Sequence, residues 1–186
     1  MTLVPITEAS HGVVLDLRYA TANNITGAPL YLRAEAWLHQ DAAEALARAV
    51  SLAARQGLRL RLFDAYRPPE AQWRLYRAAG GGATPFVADP RKGSPHTRGV
   101  AVDLTLIGPD GSDLEMGTGF DDLTPNAFHG TAVGPEAERN RLLLLGLMST
   151  AGWDFYSKEW WHYQLFNARR YPLWTDSTLP RRIMAP

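Results

Sequence analysis

The 186-residue chain contains no cysteine. A disulfide framework, a thiolate metal site and a cysteine nucleophile are therefore excluded. Nor does it carry net charge, with 19 basic and 19 acidic residues. A polybasic membrane anchor or a nucleic-acid surface would need a positive excess. No apolar run approaches the ~20 residues that span a bilayer. The start, Met1-Thr-Leu-Val-Pro-Ile-Thr-Glu-Ala-Ser10, lacks the basic and long apolar parts of a secretory signal. A soluble, cytoplasmic protein is the expectation, which the lack of cysteine suits. What is present is ordinary for a globular chain: 46% hydrophobic and 20% charged residues. The length suffices for one core, and no repeat or linker divides it, so residues 1–186 are expected to form a single domain.

Val13–Arg18 reads as a short strand, followed by a polar loop over 21–27. Asp41 is the expected N-cap, with Glu44 completing a capping box, of a helix over Ala42–Gln56 that Gly57 stops. Leu58–Asp64 alternates leucine with arginine before Phe63 and Asp64, which predicts a strand. Pro68 and Pro69 start a second helix, ended by Gly80-Gly-Gly82; residues 83–95 read as irregular. Val100, Val102, Leu104 and Leu106 alternate with Ala101, Asp103 and Thr105, a strand with Asp103 on the less apolar face. Pro109–Ser112 predicts a hairpin turn. The loop over 115–134 is long enough to be functional. A third helix runs from Pro135 to about Thr150, and Trp153–Tyr156 and Trp160–Phe166 read as final strands. From Asn167 a tail rich in proline and arginine is expected to pack over the surface. This order predicts an α+β fold with a mostly antiparallel sheet flanked by helices.

Two short segments concentrate the chemistry: Ser94-Pro-His-Thr-Arg-Gly-Val-Ala-Val-Asp103 and Glu159-Trp-Trp-His162. Two imidazoles and a carboxylate, here His96, Asp103 and His162, suit a catalytic zinc ion and leave one coordination position open. A spacing of seven puts His96 and Asp103 on opposite faces of a straight strand, so the chain must bend near Pro95 and Gly99. Glu159 is the candidate base and acid for water activated at such a site. The bland alternative is a set of ordinary histidines, since each pair taken alone is a weak signal. His129 is a competing ligand or a substrate-side group, whereas His11 and His39 read as structural.

Arg67 lies in Asp64-Ala-Tyr-Arg-Pro68, just past a strand end. It is placed either to donate to an oxyanion or to form an ion pair with Asp64. Tyr19 is a candidate substrate contact or a packing residue. Ser94 is a candidate partner of a ligand or a substrate terminus; no Gly-x-Ser-x-Gly elbow marks it as a nucleophile. Asp121 or Asp122 is placed to hold an amine or to cap the loop. Trp153, Trp160 and Trp161 read as core and site wall.

Five ordered segments resemble one family. They are Asp16–Gly27, Asp64–Pro68, Ser94–Thr105, Met116-Gly-Thr-Gly-Phe-Asp121 and Glu159-Trp-Trp-His-Tyr163. Together, across about residues 13 to 175, they resemble the D-alanyl-D-alanine dipeptidases, zinc enzymes of vancomycin resistance and cell-wall dipeptide turnover. The resemblance implies the fold of zinc D,D-carboxypeptidases and the hedgehog signalling domain, with one zinc ion per chain on His96, Asp103 and His162. It implies Glu159 as general base and acid, Arg67 as the group stabilising the tetrahedral intermediate, and Tyr19, Asp64, Ser94 and Asp121 lining or supporting the substrate site. The implied reaction is hydrolysis of D-Ala-D-Ala to two D-alanines, with no nucleic acid, membrane or obligate protein partner. The alternatives are a D,D- or L,D-carboxypeptidase on larger peptidoglycan peptides, and a non-catalytic zinc-binding domain. The stretch between Arg67 and His96 is shorter than in resistance-linked members and resembles the short-loop members associated with dipeptide salvage. Gly119 replaces a larger residue of some relatives.

Overall fold

In chain order the elements are β1 (Leu3–Ile6), α1 (Glu8–His11), β2 (Val14–Leu15), β3 (Ala36–His39), α2 (Gln40–Ala54), β4 (Arg59–Asp64), α3 (Pro69–Ala78), β5 (Ala101–Ile107), α4 (Pro135–Thr150), β6 (Trp153–Phe155) and β7 (His162–Leu165). They are seen in a computed structural model that describes residues 2–82 and 86–184. A five-stranded sheet has the order β2-β4-β5-β7-β6. β2 runs parallel to β4, and the other neighbours are antiparallel. β1 and β3 form a separate antiparallel pair. The class is α+β with a mostly antiparallel sheet, as expected. Among the described residues, no helix is long and apolar enough to cross a membrane.

One face of the sheet makes the core. Val102, Leu104 and Leu106 of β5 pack with Leu60 and Leu62 of β4 and Tyr163 of β7. The helices α2 and α4 cover this face. In α2, Ala42, Ala45, Leu46, Ala49 and Ala53 are buried at three- and four-residue intervals, an apolar stripe of small side chains that lets the helix lie close. Each fully buried leucine here contributes about 1.5–3 kcal/mol relative to an exposed one.

The opposite face carries the polar residues, and an irregularity in β4 decides which. Regular alternation would turn Asp64 toward the helices with Leu60 and Leu62. The register shifts between Leu62 and Asp64, so Phe63 is surplus and Asp64 pairs with Asp103. Such a bulge re-aims the residue that follows it. Asp103 pairs in turn with His162. Three neighbouring strands thus present Asp64, Asp103 and His162 in one row.

Several local expectations are corrected. The strand expected over Val13–Arg18 keeps only β2, because the chain turns at a 3-10 segment, Arg18–Ala20, where the Tyr19 carbonyl accepts from the amides of Leu30 and Tyr31. The N-cap of α2 is His39 rather than Asp41: its Nδ1 accepts from the Asp41 amide at 3.2 Å. Asp41 instead accepts from the Tyr171 hydroxyl. The turn expected at Pro109–Ser112 is present, with the Gly108 amide donating to the Ser112 carbonyl at 2.9 Å, but the returning strand amounts to one isolated bridge, Ile107 to Asp113. As expected, the glycines end α3: its last residue is Ala78, and the Gly80 and Gly81 amides donate to the Arg77 and Tyr76 carbonyls; of the expected irregular stretch, residues 83–85 lie outside the described ones. The tail buries Leu179, Ile183 and Met184 in a second apolar cluster with Tyr31 and Leu75.

Candidate active site

A turn carries His96 up to β5. Gly99 has φ +68°, and a Cβ there would meet the His39 amide nitrogen at 3.1 Å and the Leu3 side chain closer still. Only glycine makes this bend without strain. The bend resolves the odd spacing, since His96 leaves the strand line and returns to face Asp103. Two reciprocal bonds hold it: His96 Nδ1 donates to the Ala65 carbonyl at 2.7 Å, and the Arg67 amide donates to the His96 carbonyl at 3.2 Å.

With Nδ1 protonated, His96 presents a bare Nε2. It lies 3.3 Å from Asp103 Oδ1 and 3.1 Å from His162 Nδ1. His162 Nδ1 is 3.1 Å from the same Asp103 oxygen, while its Nε2 donates to Gln164 Oε1 at 3.2 Å. Three ligand-type atoms therefore converge, an arrangement that either a proton on His162 Nδ1 or a metal cation holds together. Burial disfavours a charged His162, yet the bonded Asp103 carboxylate raises its pKa above the ordinary histidine value. Asp103 resists burial too, and the two histidines hold its pKa well below the usual carboxylate range. Ligand atoms ~2.0–2.1 Å from a tetrahedral centre stand about 3.3 Å apart. The triangle matches one face of that tetrahedron, so the donor set fits a zinc-sized ion in type and spacing. Among the described residues, these three are the group that could hold a metal. His129 is elsewhere, against Phe155.

Asp103 is shared with Arg67, whose Nη2 donates to Asp103 Oδ2 at 3.0 Å. Arg67 Nε donates to Asp64 Oδ2 at 2.8 Å, and Nη1 to Gln72 Oε1 at 3.1 Å. The ion pair with Asp64 is present; three of the Arg67 N–H groups are anchored, and guanidinium has five, so two are left over. Asp64 stands behind Arg67, also accepting from the Tyr31 hydroxyl at 2.9 Å. It supports Arg67 and is not part of the cavity wall.

The cavity in front measures about 220 Å³, small beside the roughly 300–1,000 Å³ of pockets for drug-sized ligands. Tyr19, Arg67, Ser94, Asp121, Glu159 and Trp161 all line it, together with the metal-type donors. Glu159 sits in the turn before β7, with Oε2 3.9 Å from His162 Nδ1. Burial pushes its pKa up to about 8, with Asp103 and Asp121 adding and His162 and Arg67 opposing. Ser94 Oγ accepts from the His96 amide at 3.2 Å, which leaves its own hydrogen for another acceptor. Trp153 is core, as expected, and Trp160 donates to Thr118.

Asp121 lines the same cavity with an uncommon φ of 62° for a residue with a side chain. Tyr19 donates to its Oδ1 at 3.1 Å. Its Oδ2 is shielded from solvent without a hydrogen-bond partner. Burial pushes the pKa up to about 7, Arg67 opposing and Asp103 adding. A buried carboxylate with a free oxygen is a receptor for a cation. The loop that delivers it is clamped by Arg141, which donates to the carbonyls of Met116, Phe128 and Asn126 at 2.7, 3.0 and 2.9 Å.

Arg141, Gln72 and Gln164 escape sequence reasoning. Arg141 hides in a charged helix segment and Gln72 in a helix start. Gln164 carries one signal, its position two residues beyond His162 on a strand.

The sequence model of the peptidase M15 family, described as D-Ala-D-Ala dipeptidase, matches residues 1–183. A D-alanyl-D-alanine dipeptidase of Escherichia coli K12 is 45% identical over 164 residues, 87% of this chain and 83% of the relative. One of Enterococcus faecium is 35% identical over 185 residues, 85% of this chain and 88% of the relative. One of Streptomyces coelicolor is 34% identical over 180 residues, covering 86% and 89%. With nearly its whole length matched and the donor set, the buried glutamate and the arginine around one cavity, the chain belongs to the peptidase M15 D-Ala-D-Ala dipeptidase family and is a metallopeptidase.

Proposed function

We propose that the protein hydrolyses the free dipeptide D-Ala-D-Ala to two D-alanines, using one zinc ion held by His96, Asp103 and His162. The observation that carries this is the cavity itself, which is lined at once by the donor set, Glu159 and Asp121 with its unpartnered oxygen. When bound, zinc supplies Lewis-acid polarisation of the scissile carbonyl and of the attacking water. Glu159 takes the water's proton during attack and returns one to the departing amine nitrogen. Arg67 keeps two N–H groups for the developing oxyanion, and its anchors on Asp64, Gln72 and Asp103 fix their aim. Asp121, aligned by Tyr19, receives the substrate's free ammonium, and Ser94 donates to its carboxylate. Residues 1–183 match the family and act here as one catalytic domain, which we assign to the cytoplasm on the lack of cysteine.

The test is D-alanine release from D-Ala-D-Ala and from its N-acetyl analogue, with zinc, with chelator, and with zinc restored. The free dipeptide alone should be cleaved, and only with zinc. Equal cleavage of the blocked analogue would favour a carboxypeptidase, and inert zinc-loaded protein a binding domain.

A further inference from the structure

Gln164 follows His162 by two residues on β7, so both side chains stand on the site face of the sheet. Its pairing partner on β5 is Ala101, whose methyl leaves the space beside His162 open. There Gln164 Oε1 meets His162 Nε2 at 3.2 Å. An amide oxygen only accepts, so Nε2 donates that bond, and Nδ1, which faces Asp103 and His96, is the nitrogen left for a metal ion. His96 reaches the opposite tautomer through the Ala65 carbonyl. The two histidines thus offer different ring nitrogens to one point, each set by the bond on its far side. For His96 that bond is to main chain. For His162 it is to a side chain, which the sequence is free to change.

We infer that Gln164 is a positioning residue for the metal centre, fixing His162 as an Nδ1 donor. This rests on the reading of His96, Asp103 and His162 as metal ligands. Gln164 acts by choosing the tautomer and holding the ring's rotation. Without it, a His162 protonated on Nδ1 would turn an N–H toward Asp103 and withdraw one donor from the set. A neutral amide performs this without adding charge to a cavity that already holds Asp103, Asp121 and Glu159. The residue is half-buried at the cavity rim, which it shares with a groove lined by Arg98, Arg169 and Arg170.

Zinc affinity, measured by competition with a chromogenic chelator, tests the inference without reference to turnover. Gln164→Leu should bind zinc about 10- to 100-fold more weakly, and Gln164→Glu, which keeps an acceptor oxygen, should restore the affinity. The metal-free Gln164→Leu protein should melt with the metal-free wild type, which separates positioning from folding. In zinc-loaded wild type, long-range ¹H–¹⁵N spectra of the imidazoles should show the proton on Nε2 of His162 and on Nδ1 of His96. Wild-type zinc affinity in Gln164→Leu, or a proton on His162 Nδ1, would overturn the role of Gln164 alone. Wild type that takes up no stoichiometric zinc, or His162→Ala that binds it unchanged, would overturn the ligand reading and this inference with it.

Discussion

The Tyr19 hydroxyl reaches Asp121 Oδ1 at 3.1 Å across 102 positions of sequence, leaving Oδ2 of the same carboxylate buried and unpartnered. An unfilled receptor costs stability. Asp121 is pushed up to about 7 from an ordinary 3.8. Unfolding therefore eases its ionisation, so stability is drained as pH rises from about 4 to about 7, and the loss is complete above 7. In metal-free protein, Asp121→Asn should be more stable than wild type by a few kcal/mol at pH 8 and by nothing near pH 3. Urea denaturation across that range checks the sign. The same variant should lose roughly 10- to 100-fold in kcat/KM for the free dipeptide.

Glu159→Ala should retain zinc and lose about 10²- to 10⁴-fold in turnover. Metal content after dialysis, beside D-alanine release, is the measurement. Loss of zinc in step with activity would make Glu159 a ligand, and wild-type turnover would remove it from the chemistry.

Arg67→Lys keeps the charge and loses the fork. One ammonium cannot hold Asp64, Gln72 and Asp103 while donating to substrate. A fall of about 10²- to 10³-fold in kcat is expected, with a smaller change in KM. Steady-state kinetics that showed only KM moving would assign Arg67 to ground-state binding.

Arg141→Met should strand the buried carbonyl of Met116 and release those of Phe128 and Asn126. An unpaired buried acceptor such as the Met116 carbonyl costs about 1–3 kcal/mol, so a lower urea midpoint is expected. Because the clamped loop delivers Asp121, KM should rise more than kcat falls. Equal effects on both would detach the clamp from substrate recognition.

Chelation should destabilise the protein, since the ligand-type nitrogens of His96 and His162 lie 3.1 Å apart. Zinc at a thousand times its Kd adds about 4 kcal/mol by mass action. Scanning calorimetry with and without chelator should show a melting point that climbs with free zinc. A zinc-independent melting point would argue against the donor set.

The donor residues were legible because their chemistry is local: a histidine beside proline and glycine, an aspartate on an alternating strand, a glutamate three residues before a histidine. The class of the fold was legible from the prolines, glycines and apolar spacing of helices α2, α3 and α4, which are local too, although the cap of α2 was not. β1 and β3 were not, because Pro5 interrupts one, the other is four residues long, and they are defined by pairing with each other. Arg141 was invisible because its partners are main-chain carbonyls, which leave no mark on composition. Alternation alone would have turned Asp64 toward the core.

That last residue divides the chain into tracts where length is free and one where it is counted. The stretch through Phe86, Val87 and Ala88 can gain or lose residues and alter only the cavity wall. In β4 the surplus Phe63 sets odd against even. If the bulge were ironed out with Phe63 kept in line, regular alternation would swing Asp64 among the leucines, take one of Arg67's three anchors and hide a charge in the core. Variation in family members should therefore pool in the loops, while the residue count from Leu60 to Arg67 stays constant.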